Sequence, residues 1–438
     1  LYKRITRTLG YLKRNSPFSD TGTPLPPYTP AESVRLLVDG NEILPAYLTA
    51  IRNATHSIRY QTMIFYADES GTQIVEGLCA AAQRGVRVRL MFGYFYGIDG
   101  PSPIPVTADQ RQALRDQRTQ LIARLRGSGV QVEDNLAIHR SNRTPQSPGA
   151  IALKADLERW VGVPINHVDH RKIMVIDDHV AFVGGANTAR EYLYHAPDDP
   201  HPDSVQSAQR RATQGHPEAW EKWGDLAVQI EGAAVAVSVA RGFDLHWELI
   251  TGESEPLLTS VPSNGIPVQV LYQRVGYGEI AAAYFERIDQ ARESITVICP
   301  YINYAPALDR IVAAAQRGVK VDLIYPHERN DLPMMLPMLA QHFPRLIEAG
   351  VRIHAQRRRM IHAKAMVVDG RYAIVGSFNL NHRSFRLDCE LCVCIQDEAF
   401  AAAFEARAVQ PYLVGTEEIL NAKPVRLTRR QAVMLTLT

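Results

Sequence analysis

The sequence lacks any run of apolar residues long enough to cross a bilayer. No stretch reaches the roughly 18 uncharged apolar residues a spanning helix needs. The most apolar segment, Leu226 to Ala240, is interrupted by Glu231. Cysteine is scarce and odd in number: Cys79, Cys299, Cys389, Cys392 and Cys394. Five scattered thiols do not make a disulfide framework, and a reducing compartment is the simpler reading. The last three spell C-x-x-C-x-C within "RLDCELCVCIQD", an apolar run at strand spacing with no second ligand pair nearby. They read as core cysteines rather than a zinc site, and no metal or other cofactor is expected. A strong excess of either charge is also missing, since the net charge is only +2. Removing the five cations of residues 1–14 (Lys3, Arg4, Arg7, Lys13, Arg14) leaves −3 for residues 15–438. A slightly acidic body lacks the basic face a polyanionic backbone demands, so nucleic acid is not the expected partner.

What is present is ordinary globular material: 46% hydrophobic and 21% charged residues over 438 positions, enough for two cores. Residues 1–30 form a basic arm. Its first part spaces Leu1, Ile5, Leu9 and Leu12 along one helical face, which suits either an anionic membrane surface or a helix docked on the body. No signal peptide is recognisable, and an anchor upstream of Leu1 stays open.

The body is written twice. "AAAQRGVRVRLMF" (80–92) returns as "AAAQRGVKVDLIY" (313–325), and "IRNATHSI" (51–58) answers "IDQARESI" (288–295). Each set reads helix, strand, helix, strand, with the glycine of "QRGV" closing the second helix. Alternating strands and helices imply an α/β protein of layered sheets. A first lobe over 31–250, a linker over 251–266, a second lobe over 267–413 and a tail over 414–438 follow. Shrinking offsets between the repeats mark extra segments in the first lobe, 97–165 and 195–223, whose Pro, Arg, Asp, His and Ser read as surface loop.

A second pattern repeats residue for residue. His170, Lys172, Asp177, Gly184 and Asn187 match His362, Lys364, Asp369, Gly376 and Asn379 at one offset. In the apolar strands "HRKIMVID" and "HAKAMVVD", alternation puts each His and Lys on the same side, in one pocket. The Asp, seven residues after the His, falls on the other face and braces the strand or its turn. "GGAN" and "GSFN" bring backbone amides and an Asn round a tight bend, a place for an anionic oxygen. Lysine is rarely buried without a partner, and here two lie on core strands. Asp225 and Glu390 head matching strands, "DLAVQI" and "ELCVCI".

The doubled H-x-K-x4-D-x6-G-(G/S)-x-N pattern resembles the phospholipase D superfamily, over nearly all of residues 33–413. "HRKIMVIDDHVAFVGGANTAREY" and "GSFNLNHRSFRLDCE" are most similar to bacterial cardiolipin synthases, in which Gly-Gly is common in the first motif, as at Gly185; Ser377 keeps the general form. The resemblance implies two homologous lobes, each a mixed β-sheet flanked by helices, with one active site at their interface. It implies a transphosphatidylase acting on phosphatidylglycerol through a phosphohistidine, peripheral on the cytoplasmic face of the bacterial inner membrane. His170 would be the nucleophile and His362 the acid/base, an assignment the internal symmetry alone does not make. Lys172, Lys364, Asn187 and Asn379 would donate to the phosphoryl oxygens, and Asp225 and Glu390 would hold the imidazoles. A phospholipase D hydrolase is the nearest alternative and a phosphodiesterase acting on nucleic acid a more distant one. Arg359, in "QRRRM", suits an anionic headgroup at the mouth. His167 is read as pocket rim, and His195 and His201 as loop rather than metal ligands.

Overall fold

A computed structural model describes residues 23–94, 108–139, 144–160, 168–194, 222–254, 264–422 apart from 328 and 333, and positions 425 and 428. The basic arm up to residue 22, His167, His195 and His201 lie outside the described residues. Two sheets form around two runs of seven strands, the second widened to ten by Thr29–Ala31, Tyr277–Gly278 and Thr416–Glu418. The first run is β1 (Ser33–Val38), β2 (Ser57–Thr62), β3 (Arg87–Phe92), β4 (Gln131–Asp134), β5 (Ile173–Ile176), β6 (Val180–Gly184) and β7 (Leu226–Glu231). The second is β8 (Ile266–Arg274), β9 (Ser294–Ile298), β10 (Lys320–Pro326), β11 (Arg352–Gln356), β12 (Ala365–Val368), β13 (Tyr372–Gly376) and β14 (Glu390–Gln396). The spatial orders are β1-β7-β6-β5-β2-β3-β4 and β8-β14-β13-β12-β9-β10-β11. The topologies match strand for strand. In each, the last three are parallel to one another and the rest antiparallel.

Helices α1 (Asp39–Asn53) and α2 (Glu69–Gln83) cover the outer face of the first sheet, with α3 (Ala108–Gly127) beside them. Beyond α4 (Pro148–Trp160) comes α5 (Ala233–Thr251). Helices α6 (Glu279–Gln290) and α7 (Ala305–Gln316) cover the outer face of the second sheet. The inner faces meet: Ile173, Val175, Ala181 and Val183 of the first lobe share one core with Val367, Ala373, Val375 and Val393 of the second. Fully buried strands on both faces explain why the motif strands read as near-continuous apolar runs. The segment 97–165 corrects the sequence reading. It is not only loop, because α3, β4 and α4 lie within it.

The lobes also exchange edges. Thr29–Ala31 pairs antiparallel with β8 of the second sheet, so the arm's last residues belong to the other lobe's sheet. In return the C-terminal helical segment Glu398–Leu413 packs on the first lobe, where Arg407 reaches the carbonyl of Leu36 and the carboxylate of Glu42. Among the described residues no helix is long and apolar enough to cross a membrane. All five cysteines are buried and none is in a disulfide, and among the described residues no cluster could hold a metal ion.

Candidate active site

His170 and Lys172 precede β5, and His362 and Lys364 precede β12, each set where its motif strand reaches the lobe interface. There the strands are zipped to the opposite lobe. The His170 N–H donates to the Cys389 carbonyl at 2.8 Å, and the Cys389 N–H to Val168 at 2.8 Å. On the other side the His362 N–H donates to the Gly224 carbonyl at 2.7 Å, and the Gly224 N–H to Met360 at 2.9 Å. Each bridge is one residue before Glu390 or Asp225, so the carboxylate of one lobe arrives beside the imidazole of the other. His170 Nδ1 lies 2.9 Å from Glu390 Oε2, and His362 Nδ1 lies 2.8 Å from Asp225 Oδ2. The pairing is crossed. With Nδ1 turned to a carboxylate, Nε2 is the ring nitrogen left for chemistry.

The lysines are buried at the same place. Lys172 donates to the carbonyl of His170 at 2.6 Å, and Lys364 does likewise to that of His362. Burial pushes Lys172 down to about 7 and Lys364 to about 8, each relieved in part by Asp225 and Glu390. Both histidines are held below the usual range, chiefly by burial. Lys364, Lys172 and His170 deepen the effect at His362, while Glu390 opposes it at His170. His170 and both lysines all act on His362, so the four groups form one electrostatic unit.

The two carboxylates differ. Burial pushes Glu390 up, but His170, Lys172 and the Ser377 hydroxyl outweigh it and hold the group below the usual carboxylate range. Ser377 and Ser384 donate to its two oxygens, Ser384 at 2.6 Å. Asp225 receives the N–H of Leu226 at 2.8 Å, and burial raises it to about 7 against the pull of Lys364. At Gly185, the counterpart of Ser377, a Cβ would meet Asp225 Oδ1 at 2.3 Å, whereas Ser377 fits beside its partner. The site is thus symmetric in plan and asymmetric in charge.

Asp177 and Asp369 stand outside this cluster. Asp177 accepts the N–H groups of Thr55, His56 and Ser57 at 2.7–2.8 Å, and Asp369 those of Arg292, Glu293 and Ser294. Both have φ near +50°, in the left-handed region that aspartate tolerates better than most residues. Asn187 accepts from Ile64 N–H and Thr62 O–H at 3.2 and 3.3 Å, and its side chain also hydrogen-bonds the Tyr192 hydroxyl. Asn379 has its own N–H held by Ser384 Oγ at 3.1 Å.

Arg359 is a correction. It does not line a mouth: it is 7% exposed, lies over the Tyr412 ring, and pairs through Nη1 with Asp39 at 2.9 Å. Tyr412 donates to Asp39 at 2.7 Å and to the Asp225 carbonyl at 3.1 Å, while Asp39 accepts the Asp225 N–H. Arg359 therefore ties the lobes together behind Asp225. Sequence reasoning also missed the aromatic wall around His362. Tyr192, Trp223 and Tyr301 have ring centroids 4.9, 5.8 and 6.3 Å from the imidazole, and Tyr301 donates to Asp331. The only sequence signal is that Tyr192 follows Asn187 by five residues and Trp223 precedes Asp225 by two; Tyr301 is far from both motifs.

The family model described as cardiolipin synthase, PLD-like domain matches residues 47–198 and 284–410. The chain is 28% identical over 404 residues to cardiolipin synthase A of Serratia proteamaculans, covering 89% of this chain and 70% of that one. It is 27% identical over 405 residues to cardiolipin synthase A of Salmonella arizonae, covering 89% and 71%. Among solved structures, phosphatidylserine synthase of Haemophilus influenzae superposes with a TM-score of 0.64 at 17% identity, over 98% of this chain and 96% of that one. Polyphosphate kinase of Porphyromonas gingivalis gives 0.50 at 14% identity, over 92% and 52%. These two share the fold. With the family model spanning both lobes and both motifs, the chain belongs to the cardiolipin synthase, PLD-like domain family, and so to the enzymes of the phospholipase D superfamily.

Proposed function

We propose that the protein is a cardiolipin synthase-type transphosphatidylase. It takes a phosphatidyl group from phosphatidylglycerol onto a histidine and passes it to the hydroxyl of a second phospholipid. The observation that carries this reading is the crossed pair of His–carboxylate contacts with two buried lysines among them. A phosphodiester is anionic and resists nucleophiles, so its transition state needs donors already in place for the equatorial oxygens. Lys172, Lys364, Asn187 and Asn379 are suited to that, and the turns at Gly185 and Ser377 flank them.

In this reading His170 Nε2 bonds to phosphorus while the glycerol oxygen leaves and takes a proton from His362. The incoming alcohol then gives its proton to His362 and attacks phosphorus, which frees His170. The charge asymmetry supports the assignment. Glu390, held below the usual carboxylate range, orients the His170 ring for attack through Nε2. Asp225, raised to about 7 by burial, stands 2.8 Å from His362 Nδ1 as the carboxyl better able to take and return a proton. Asp177 and Asp369 act at a distance by fixing the turns after the catalytic strands.

The substrate places the enzyme at a membrane surface, and we read it as peripheral on the cytoplasmic face of the bacterial inner membrane. The test is product analysis. Phosphatidylglycerol vesicles incubated with the full chain should yield cardiolipin and glycerol by mass spectrometry. Phosphatidic acid without cardiolipin would identify a hydrolase instead, and cleavage of bis(p-nitrophenyl) phosphate or DNA without lipid turnover would overturn the lipid reading.

A further inference from the structure

Alternation along the His170 strand puts Asp169 and Arg171 on its reverse face, away from His170 and Lys172. Both are only 2% exposed. Asp169 accepts from Arg171 Nε at 2.8 Å and Nη2 at 2.6 Å, and from Gln61 at 2.5 Å. His246 Nδ1 stands 2.8 Å from the same carboxylate, and burial pushes the imidazole down to about 4. The matching residues of the second lobe are Ile361 and Ala363, both in the apolar core. Only one of the two histidines has charge behind it.

Arg171, His246, Cys389 and Glu390 lie deep in a cavity of about 420 Å³ bounded by α4, α5 and β8. Its lining contains none of His170, Lys172, His362 or Lys364, so it is not the reacting centre seen from another side. Arg171 gives Nε and Nη2 to Asp169. Its Nη1 packs against Gly242, where a Cβ would meet it at 2.6 Å and the Tyr272 ring at 2.5 Å, so only a glycine lets the guanidinium lie at this wall of the cavity. Leu153, Leu245 and Val270 supply apolar wall, and Arg241 and Arg274 add cations toward the outside. Glu279 lies near both arginines but already accepts the Tyr272 N–H at 2.9 Å and the Tyr277 hydroxyl. Glu390 is held by two serines and His170.

We propose that this cavity is a second binding site, for an anionic amphiphile: a carboxylate or phosphate monoester carried on an apolar chain. The head meets Arg171 Nη1 and the outer guanidiniums, and the chain lies along the Leu153–Leu245 wall. Mixed lining of this kind, apolar walls with a few placed polar groups, is how small ligands are usually held. The site also has a route to the chemistry. Cys389 and Glu390 form part of its wall, and the Cys389 carbonyl holds the His170 N–H. Occupancy therefore bears on the strand and the carboxylate that orient His170.

Calorimetric titration of the full chain with decanoate, 1-decanol and inorganic phosphate tests this without turnover, so its failure is separate from any failure of phosphatidyl transfer. Decanoate should bind saturably at one per chain, with decanol and phosphate failing to compete. Arg241→Glu should weaken it at least tenfold, Leu153→Trp should abolish it by filling the cavity, and His170→Ala should still bind it at one per chain. Undiminished binding in Arg241→Glu overturns the proposal even where the tryptophan variant does not fold. Equal binding of decanol, displacement by phosphate, or loss in His170→Ala also overturns it, since each places the ligand in an apolar slot, a bare anion site or the reacting centre. Decanoate should change the rate of glycerol release in the wild type and not in Leu153→Trp; an equal change in both contradicts the coupling.

Discussion

The first lobe and the second lobe share a strand order position by position, yet they hold the two histidines differently. The second lobe offers His170 a glutamate with two serine hydroxyls on its oxygens. The first offers His362 a shorter aspartate beside Gly185, where a serine's Cβ would collide with the carboxylate. Behind His170 lies a charged cluster, and behind His362 an apolar core. Duplication supplies the plan, two imidazoles and two lysines meeting at one interface. Local departures from the plan give the halves different charge, and in the proposed mechanism one histidine attacks while the other moves protons.

The largest way to break this comparison is to remove an imidazole. His170→Ala and His362→Ala should each lower phosphatidyl transfer by about 10⁴-fold or more, because the two act as a unit, with vesicle binding unchanged in sedimentation. Retained turnover in either variant would break the two-histidine account. The carboxylates sharpen it next. Glu390→Gln should cost on the order of 10²-fold in kcat, as loss of an orienting partner does, and Asp225→Asn distinctly less. Equal losses would erase the asymmetry. Gly185→Ser should cost more than Ser377→Gly, because the first forces a carbon to within 2.3 Å of Asp225 and the second leaves Ser384 on Glu390.

How much of this was legible in the sequence follows from what periodicity records. His170 with Lys172, and His362 with Lys364, could be put in shared pockets because alternation fixes sides along a strand. The bracing role expected of Asp177 and Asp369 is visible in the hydrogen bonds each accepts across a turn. The matched positions of Asp225 and Glu390 were also readable. Which histidine each one meets was not, because a repeat says what is equivalent and not what touches. The crossing arises from the Gly224 and Cys389 bridges, which join residues far apart in the chain. Strand β4 lies inside a segment taken as loop, and its counterpart β11 was not read at all. The signal was there, since "GSGVQVED" and "EAGVRIHA" repeat the Gly-Val step of "QRGV", and Gly129 and Gly350 share its left-handed turn. Arg359 misled because a run of arginines looks solvated, while burial against Tyr412 and Asp39 depends on the other lobe.

A pH profile sharpens the comparison further. The lysines must be charged to meet the phosphoryl oxygens, and burial lowers them to about 7 and 8. A group with a depressed ammonium pKa loses its proton as pH rises, so kcat/KM should fall on the alkaline side between about pH 7 and 8. A limb that stays flat to pH 10 would place the lysines outside the reaction. The smallest effect is on stability. Asp177→Ala or Asp369→Ala should lower unfolding free energy by about 2 kcal/mol through lost charge-assisted hydrogen bonds, and by similar amounts in the two lobes, as denaturant titration would read.

The most direct measurement is of the covalent adduct. His362→Ala should be mixed with a phosphatidyl ester of p-nitrophenol, a leaving group that needs no proton, and the quenched protein digested for mass spectrometry. The account predicts a stable phosphatidyl adduct on the peptide bearing His170, with one equivalent of p-nitrophenol released. An adduct on any other residue, or steady release with no adduct at all, would contradict a single phosphorus served by both lobes.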